Sequence, residues 1–313
     1  MHRRMYAICV VCCVGFIMLV IFGYTFVHKD VTLSRTTHLT TTHKVKVSNF
    51  KENIEKPRQR FSTSDEMRYI MYGEGNFAPY SQQFVNYIRS HISEPTLTRP
   101  RQLARPHKTH WSQVGQSALV DKLLSRRRNG FFIECGAADG ETYSNSLFFE
   151  MQRNWTGILI EANPLYYRAL LRKNRRAYLL HACLSTKRRP ATASIRLSGL
   201  VSRISRHGKK VNCFPLDAIL ESLNTHHVDY LSLDVEGPEL QILHTIDWSN
   251  FRIDVLSIEY RVHGTGSINK KATLRKLENL RHFFRQLSEY REVTLLPRKA
   301  NEAHGLDVVF SRI

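Results

Sequence analysis

At 313 residues with 42% apolar side chains, the chain can bury one large core or two small ones, which excludes disorder throughout. Of the formal charge of +19, residues 1–27 contribute +2, residues 28–110 hold 14 basic against 7 acidic residues, and residues 111–313 hold 30 against 20. An excess spread in this way favours anionic partners in general and singles out no nucleic-acid domain.

Residues 1–6 form a short tail carrying Arg3 and Arg4, and residues 7–27 are 21 residues without a charge. At 1.5 Å per residue such a helix reaches about 30 Å, the thickness of a bilayer's hydrocarbon core, so a transmembrane signal-anchor is expected. A cleaved signal peptide is the competing reading, but Gly23-Tyr24-Thr25 fits a small-x-small cleavage site poorly. The two leading arginines predict a single-pass type II protein with its globular part in the ER or Golgi lumen, the endosome or the cell exterior. Lys29 and Arg35 on the other flank oppose that orientation. Behind a membrane, acidic glycans, anionic headgroups or acidic cargo proteins are the reachable partners, and nucleic acid is not expected. A merely solvated basic face explains the charge equally well.

Residues 28–110 are rich in Thr, Lys, Arg, His and Pro and predict a basic, solvated stem, with short helices over 65–72 and 81–90. From Trp111 the pattern changes to short β-branched or aromatic runs alternating with amphipathic stretches, as in βα units around a mainly parallel sheet. Strands are predicted over 131–135, 157–161, 178–184, 228–235 and 253–260, with a closing antiparallel hairpin over 292–296 and 306–310. Helices are predicted over 117–128, 144–152, 164–173, 215–223, 238–244 and 272–290. Asn163 supplies the N-cap and Pro164 the first position of the third of these helices. The basic stretch 187–212 has no clear period and predicts a long loop or an edge hairpin. Cys135 and Cys183 lie in apolar strand-like runs, so buried free thiols are expected in the globular part rather than a disulfide, and no Cys/His spacing suggests zinc. Asn154-Trp155-Thr156 is a glycosylation sequon.

In an open α/β sheet the ligand sits beyond the carboxyl ends of the strands, so the residues after each strand carry the chemistry. Gly136 and Gly140, with Ala137 and Ala138 between them, let a ligand approach the backbone closely. Glu161 follows Gly140 by 21 residues, the position from which a carboxylate accepts hydrogen bonds from ribose hydroxyls. A GxGxxG fingerprint is absent, and the acidic residues around the glycines suit a sulfonium cofactor better than a pyrophosphate. Asp234, Glu236 and Glu259 follow two further strands, with Asp234 as acceptor-binding residue or proton acceptor and the other two in support. Glu236 can equally begin a helix, where acidic groups are favoured. His263 is a weaker base candidate. No metal site is assigned, because a divalent ion on the three carboxylates has no independent support.

Four ordered motifs, Phe132-Ile133-Glu134-Cys135-Gly136-Ala137-Ala138-Asp139-Gly140, Ile160-Glu161-Ala162-Asn163-Pro164, Phe214-Pro215-Leu216-Asp217 and Leu233-Asp234-Val235-Glu236-Gly237-Pro238-Glu239-Leu240, resemble those of FkbM-type methyltransferases. The resemblance runs from about Ser112 to Arg312, and Ser112-Gln113 with Gln116 resembles the lead-in of animal members, among them the membrane-anchored Star-like proteins. It implies a Rossmann-like class I methyltransferase fold of seven strands binding S-adenosylmethionine, with Glu134, Gly136, Asp139 and Glu161 as cofactor contacts. It also puts Cys183 where adenine rests, although a buried core thiol explains that residue equally well. Two functions stay open: an O-methyltransferase of the secretory pathway acting on a sugar hydroxyl or carboxylate, or a Star-like, non-catalytic escort of membrane cargo between ER, Golgi and endosomes.

Overall fold

The computed structural model describes residues 80–197, 203–264, 267–297 and 305–313. The predicted tail, membrane segment 7–27 and helix 65–72 lie outside these residues. Among the described residues no helix is long and apolar enough to cross a membrane.

The described chain opens with α1 (Gln82–His91), capped by the Ser81 hydroxyl on the Phe84 amide, and β1 (Ile92–Ser93). Phe84, Tyr87 and Ile88 are spaced to share one helical face, and all three are buried. Phe84 packs on Phe214 with ring centroids 6.2 Å apart, and Tyr80 hydrogen-bonds the Asp217 carboxylate. The expected solvated stem therefore does not extend to residue 110. Residues from Tyr80 onward belong to the folded body, because burying three such side chains stabilises the helix by about 2 kcal/mol each.

The next elements follow the predicted order: α2 (Gln116–Leu123), β2 (Phe131–Cys135), α3 (Leu147–Gln152), β3 (Thr156–Ile160) and α4 (Pro164–Arg172). The predicted helix 117–128 stops at Leu123, since Ser125 and Arg126 turn to positive φ of 51° and 57°. Asn163 caps α4 as its sequence predicts, its side-chain oxygen accepting from the Leu165 amide at 2.9 Å.

The predicted third strand is two strands. β4 (Tyr178–Leu180) stays in the main sheet, while β5 (Cys183–Leu184) leaves it for a second one. The basic stretch beyond is neither loop nor simple hairpin: β6 (Ala191–Arg196), β7 (Arg203–Ser205) and β8 (Lys209–Phe214) form a four-stranded sheet in the order β5-β8-β6-β7. In β8 the exposed Lys209 and Lys210 precede the buried Val211, Cys213 and Phe214, so the surface lysines hide its inward side. Parallel pairing of β5 with β8 sets Cys183 opposite Cys213, with their Cα atoms 4.3 Å apart, and the two are joined in a disulfide. This corrects the expectation of free thiols, which sequence separation could not test; Cys135 is the buried free cysteine among the described residues.

The remaining elements are α5 (Leu216–Ser222), β9 (His227–Leu233), α6 (Glu239–Leu243), β10 (Arg252–Glu259), α7 (Lys270–Leu287), β11 (Tyr290–Leu296) and β12 (Asp307–Arg312). The main sheet runs β1-β4-β3-β2-β9-β10-β12-β11. The order β4-β3-β2-β9-β10-β11 is the Rossmann order 3-2-1-4-5-6, and β12 enters between β10 and β11, antiparallel to both. The expected sheet of seven, mainly parallel strands is thus corrected to a mixed sheet of eight, with β1 added antiparallel to β4 at one edge. Along β2 the pleat sends Ile133 and Cys135 into the core that includes α1, α5 and α7, and Phe132 into the core that includes α2, α3 and α4. The strand order reverses between β2 and β9, which fixes where a ligand crevice opens.

The disulfide closes a 30-residue separation, so its removal should release unfolded-chain entropy of about 3 to 4 kcal/mol. Replacing Cys183 and Cys213 together by Ser is expected to lower the melting temperature by several degrees under non-reducing conditions, and dithiothreitol should lower the native protein similarly while leaving the variant unchanged.

Candidate active site

The crevice is a cavity of about 370 Å³ bordered by the carboxyl ends of β2, β3, β9 and β10. Gly136 builds its base. Its φ is 82°, and a Cβ there would lie 1.9 Å from the Asp234 carbonyl oxygen, so only glycine lets the tip of β2 press against the tip of β9. On the other side the amides of Gly136 and Ala137 donate to the Ile160 carbonyl at 3.0 and 3.2 Å. Three strand ends are thereby locked around one point.

Glu161 lies on the cavity wall, 8% exposed. Its Oε2 accepts from the Ala138 amide at 2.7 Å and its Oε1 from the Asn163 amide at 2.6 Å. Burial raises its carboxyl above the usual range, and these amides oppose the rise without cancelling it. Each oxygen keeps capacity for a further donor. Glu134 also lines the cavity, accepting from the Ser144 hydroxyl at 2.9 Å, the Asn145 amide at 2.7 Å and the Ser146 hydroxyl.

Asp139 and Gly140, expected as cofactor contacts, do not line the cavity. Asp139 accepts from the amides of Glu141 and Thr142 at 2.9 and 2.6 Å; burial works to raise its carboxyl, yet these bonds leave it lowered. Gly140 packs so closely on Leu170 that a Cβ would lie 2.3 Å from Cδ1, and its carbonyl accepts from the buried Arg175. Both residues shape the loop that presents Ala138. Cys183 is on the wall, but as one half of the disulfide and not as a thiol.

Asp234, Glu236 and Glu259 do converge, and all three line the cavity. One oxygen each of Asp234, Glu239 and Glu259 lie within 4.8 Å of one another, as do ligand atoms of Glu236, Glu259 and His263. Burial first, then the neighbouring carboxylates, push Asp234 and Glu259 well above the usual carboxylate range; Asp234 takes its strongest carboxylate repulsion from Asp307, and a hydrogen bond it accepts from Glu259 partly offsets it. Glu239 is fully buried, accepts from the Val235 and Gly237 amides at 3.1 and 3.0 Å, and meets the Lys276 ammonium at 2.5 Å. It fixes a turn in which Glu236 has a φ of 61°.

Sequence reasoning missed Asn145, Asp307 and Arg261. Asn145 donates to the Ser232 hydroxyl at 2.9 Å, and its own Oδ1 is buried on the cavity wall without a partner. Asp307, the first residue of β12, accepts from Gln116 at 2.9 Å, and burial pushes it up to about 6. No local signal marks Asp307, since β12 reaches the site only by inserting beside β10.

The FkbM methyltransferase domain matches residues 134–291. The chain belongs to this family. The match spans the glycine turn, Glu161 and the carboxylates of β9 and β10. No curated protein matches the FkbM chain in sequence. Solved structures similar to it include Aeropyrum pernix fibrillarin in complex with natively bound S-adenosyl-L-methionine, 13% identical over 64% of this chain and 75% of that one, with a TM-score of 0.40. The FkbM methyltransferase of Methylobacillus flagellatus KT is 12% identical over 58% of this chain and 43% of that one, with a TM-score of 0.37. M. jannaschii TYW2 in complex with AdoMet is 14% identical over 65% and 78%, with a TM-score of 0.33. At these scores the fold assignment rests on the strand order itself.

Because the native state raises Asp307 from 3.8 to about 6, it holds a proton that the unfolded chain has released across that interval. Stability should therefore fall as pH rises from about 4 to 6 and lose no more from this group above that, by up to about 3 kcal/mol. Asp307→Asn keeps the shape without the charge, so denaturant unfolding at the two ends of this window should show the variant gaining on the native protein as pH rises.

Proposed function

We propose that this protein is an S-adenosylmethionine-dependent O-methyltransferase held in secretory-pathway membranes by residues 7–27. The observation that carries the reading is Glu161, a buried carboxylate with remaining acceptor capacity on the wall of a cavity at the switch point, beside the glycine turn that lets the tips of β2 and β9 meet. The residues fit the cofactor on a second count: the orphaned Asn145 Oδ1 is an acceptor that an ammonium group would satisfy. Glu161 would take the ribose hydroxyls, and Glu134 and Asn145 would face the amino-acid part.

When bound, the cofactor supplies a methyl carbon on a sulfonium, whose C–S electron pair returns to sulfur on transfer. The chain needs no nucleophile of its own. Its task is to hold the acceptor oxygen in line, to exclude water and to take the acceptor proton. The pair Asp234 and Glu259, both raised above the usual carboxylate range by burial and mutual repulsion and joined by a hydrogen bond, is suited to that last step, with Asp234 as the proton acceptor. The acceptor is a hydroxyl or carboxylate, and acidic glycans or membrane proteins match the basic surface.

The disulfide supports an oxidising compartment, and the sequon residue Asn154 is exposed in the turn between α3 and β3. Glycosidase treatment of the full chain from cells is expected to increase its mobility on a gel, and Asn154→Gln to remove that shift; an unshifted native chain would count against lumenal placement.

Titration of the full chain with S-adenosylmethionine by calorimetry should give saturable heat, weakened about tenfold or more, about 1.4 kcal/mol, in Glu161→Ala. No heat at high micromolar cofactor would sink the enzyme reading and leave the Star-like cargo escort as the role for the same domain.

A further inference from the structure

One side of the cavity gathers more negative charge than the protein balances. Asp234, Glu236 and Glu259 line it, Glu239 and Asp307 repel them from behind the wall, and the cations acting on these groups include Arg261 and Lys276. Five carboxylates against two cations leave a formal charge of −3 when all are ionised, and Lys276 is already committed to Glu239 at 2.5 Å. Within this cluster Glu259 stands apart. It is 3% exposed and lines the cavity, yet its Oε2 has no hydrogen-bond partner. A buried carboxylate oxygen without a donor is costly.

The geometry around the Glu259 carboxylate is that of an ion's ligand set. Single ligand atoms of Glu236, Glu259 and His263 lie within 4.8 Å of one another, the separation that one ion at about 2.0 to 2.6 Å from each ligand can span. All three residues line the cavity, so further coordination positions would open toward the acceptor. The second trio, Asp234, Glu239 and Glu259, is less apt, because Glu239 already serves two amides and Lys276. The positive φ of Glu236, 61°, shows a backbone held in a sparsely populated conformation at a residue of this set.

We propose that Glu236, Glu259 and His263 bind one hard divalent cation of the manganese or magnesium type. Two carboxylates and an imidazole suit such an ion, and its open positions would take two neighbouring oxygens of the acceptor, such as a vicinal diol or a hydroxy acid. The ion holds the acceptor oxygen beside Asp234 and makes its proton easier to remove. The role in acceptor choice rests on the methyltransferase reading, whereas the ion site itself does not.

The test uses Mn2+ alone, added to the full chain and followed by electron paramagnetic resonance, with S-adenosylmethionine calorimetry run separately in the absence of metal. The expected result is one bound Mn2+ per chain, weakened about tenfold or more in both Glu259→Gln and His263→Ala. His263 is exposed, so its variant keeps the fold even where Glu259→Gln does not. No bound Mn2+ up to about 1 mM, or binding that neither substitution weakens, overturns the proposal. Cofactor binding without Mn2+ binding would overturn the ion site and leave the methyltransferase reading standing; Mn2+ binding without cofactor binding would do the reverse.

Discussion

A backbone contact between two strand tips organises the site: Gly136, in the left-handed region, lies so near the Asp234 carbonyl that no side chain could intervene. The contact joins β2 to β9 at the point where strand order reverses, and the Gly136 and Ala137 amides join the same tip to Ile160 at the end of β3. Without that approach the crevice would be wider and the carboxylates on its two sides would not share one cavity. The loop beyond Gly136 is then held from outside, by Asp139 on the amides of Glu141 and Thr142 and by Arg175 on the Gly140 carbonyl.

The carboxylates gathered by this packing are costly to the fold. Asp234, Glu259 and Asp307 are all raised, chiefly by burial, so each would be more comfortable in water. Elsewhere the same protein resolves buried charge carefully: Glu150 pairs with Arg175 at 2.7 Å, and Glu141 with Lys173 at 2.6 Å, and both acids are lowered despite their burial. The contrast sets this cluster of unbalanced charge apart from the rest of the core, as a fold selected for stability alone would have placed partners there.

The cavity also draws on elements that a minimal doubly wound sheet does not have. The four-stranded sheet brings Ile195 and the disulfide-bonded Cys183 to one wall, and α1 backs the neighbouring core through Phe84 and Phe214. Tyr80 on the Asp217 carboxylate ties the segment leading into α1 to the start of α5.

The sequence alone determined the order of βα units, the strand β2 residue for residue, the Asn163 cap, the glycine turn, and the identity of Glu161, Asp234 and Glu259 as acids at strand ends. Each of these is local: periodicity, capping and turn chemistry act within a few residues. Tertiary structure decided what depends on register and on distant segments. It divided the expected third strand at His181 and Ala182, paired Cys183 with Cys213 across β5 and β8, and drew residues once assigned to a stem into the core. It also removed Asp139 and Gly140 from the cavity wall, and brought Asp307 beside Gln116 from 191 residues away. Pairing between strands is set by which faces can be buried together, and that choice is made by the whole chain at once.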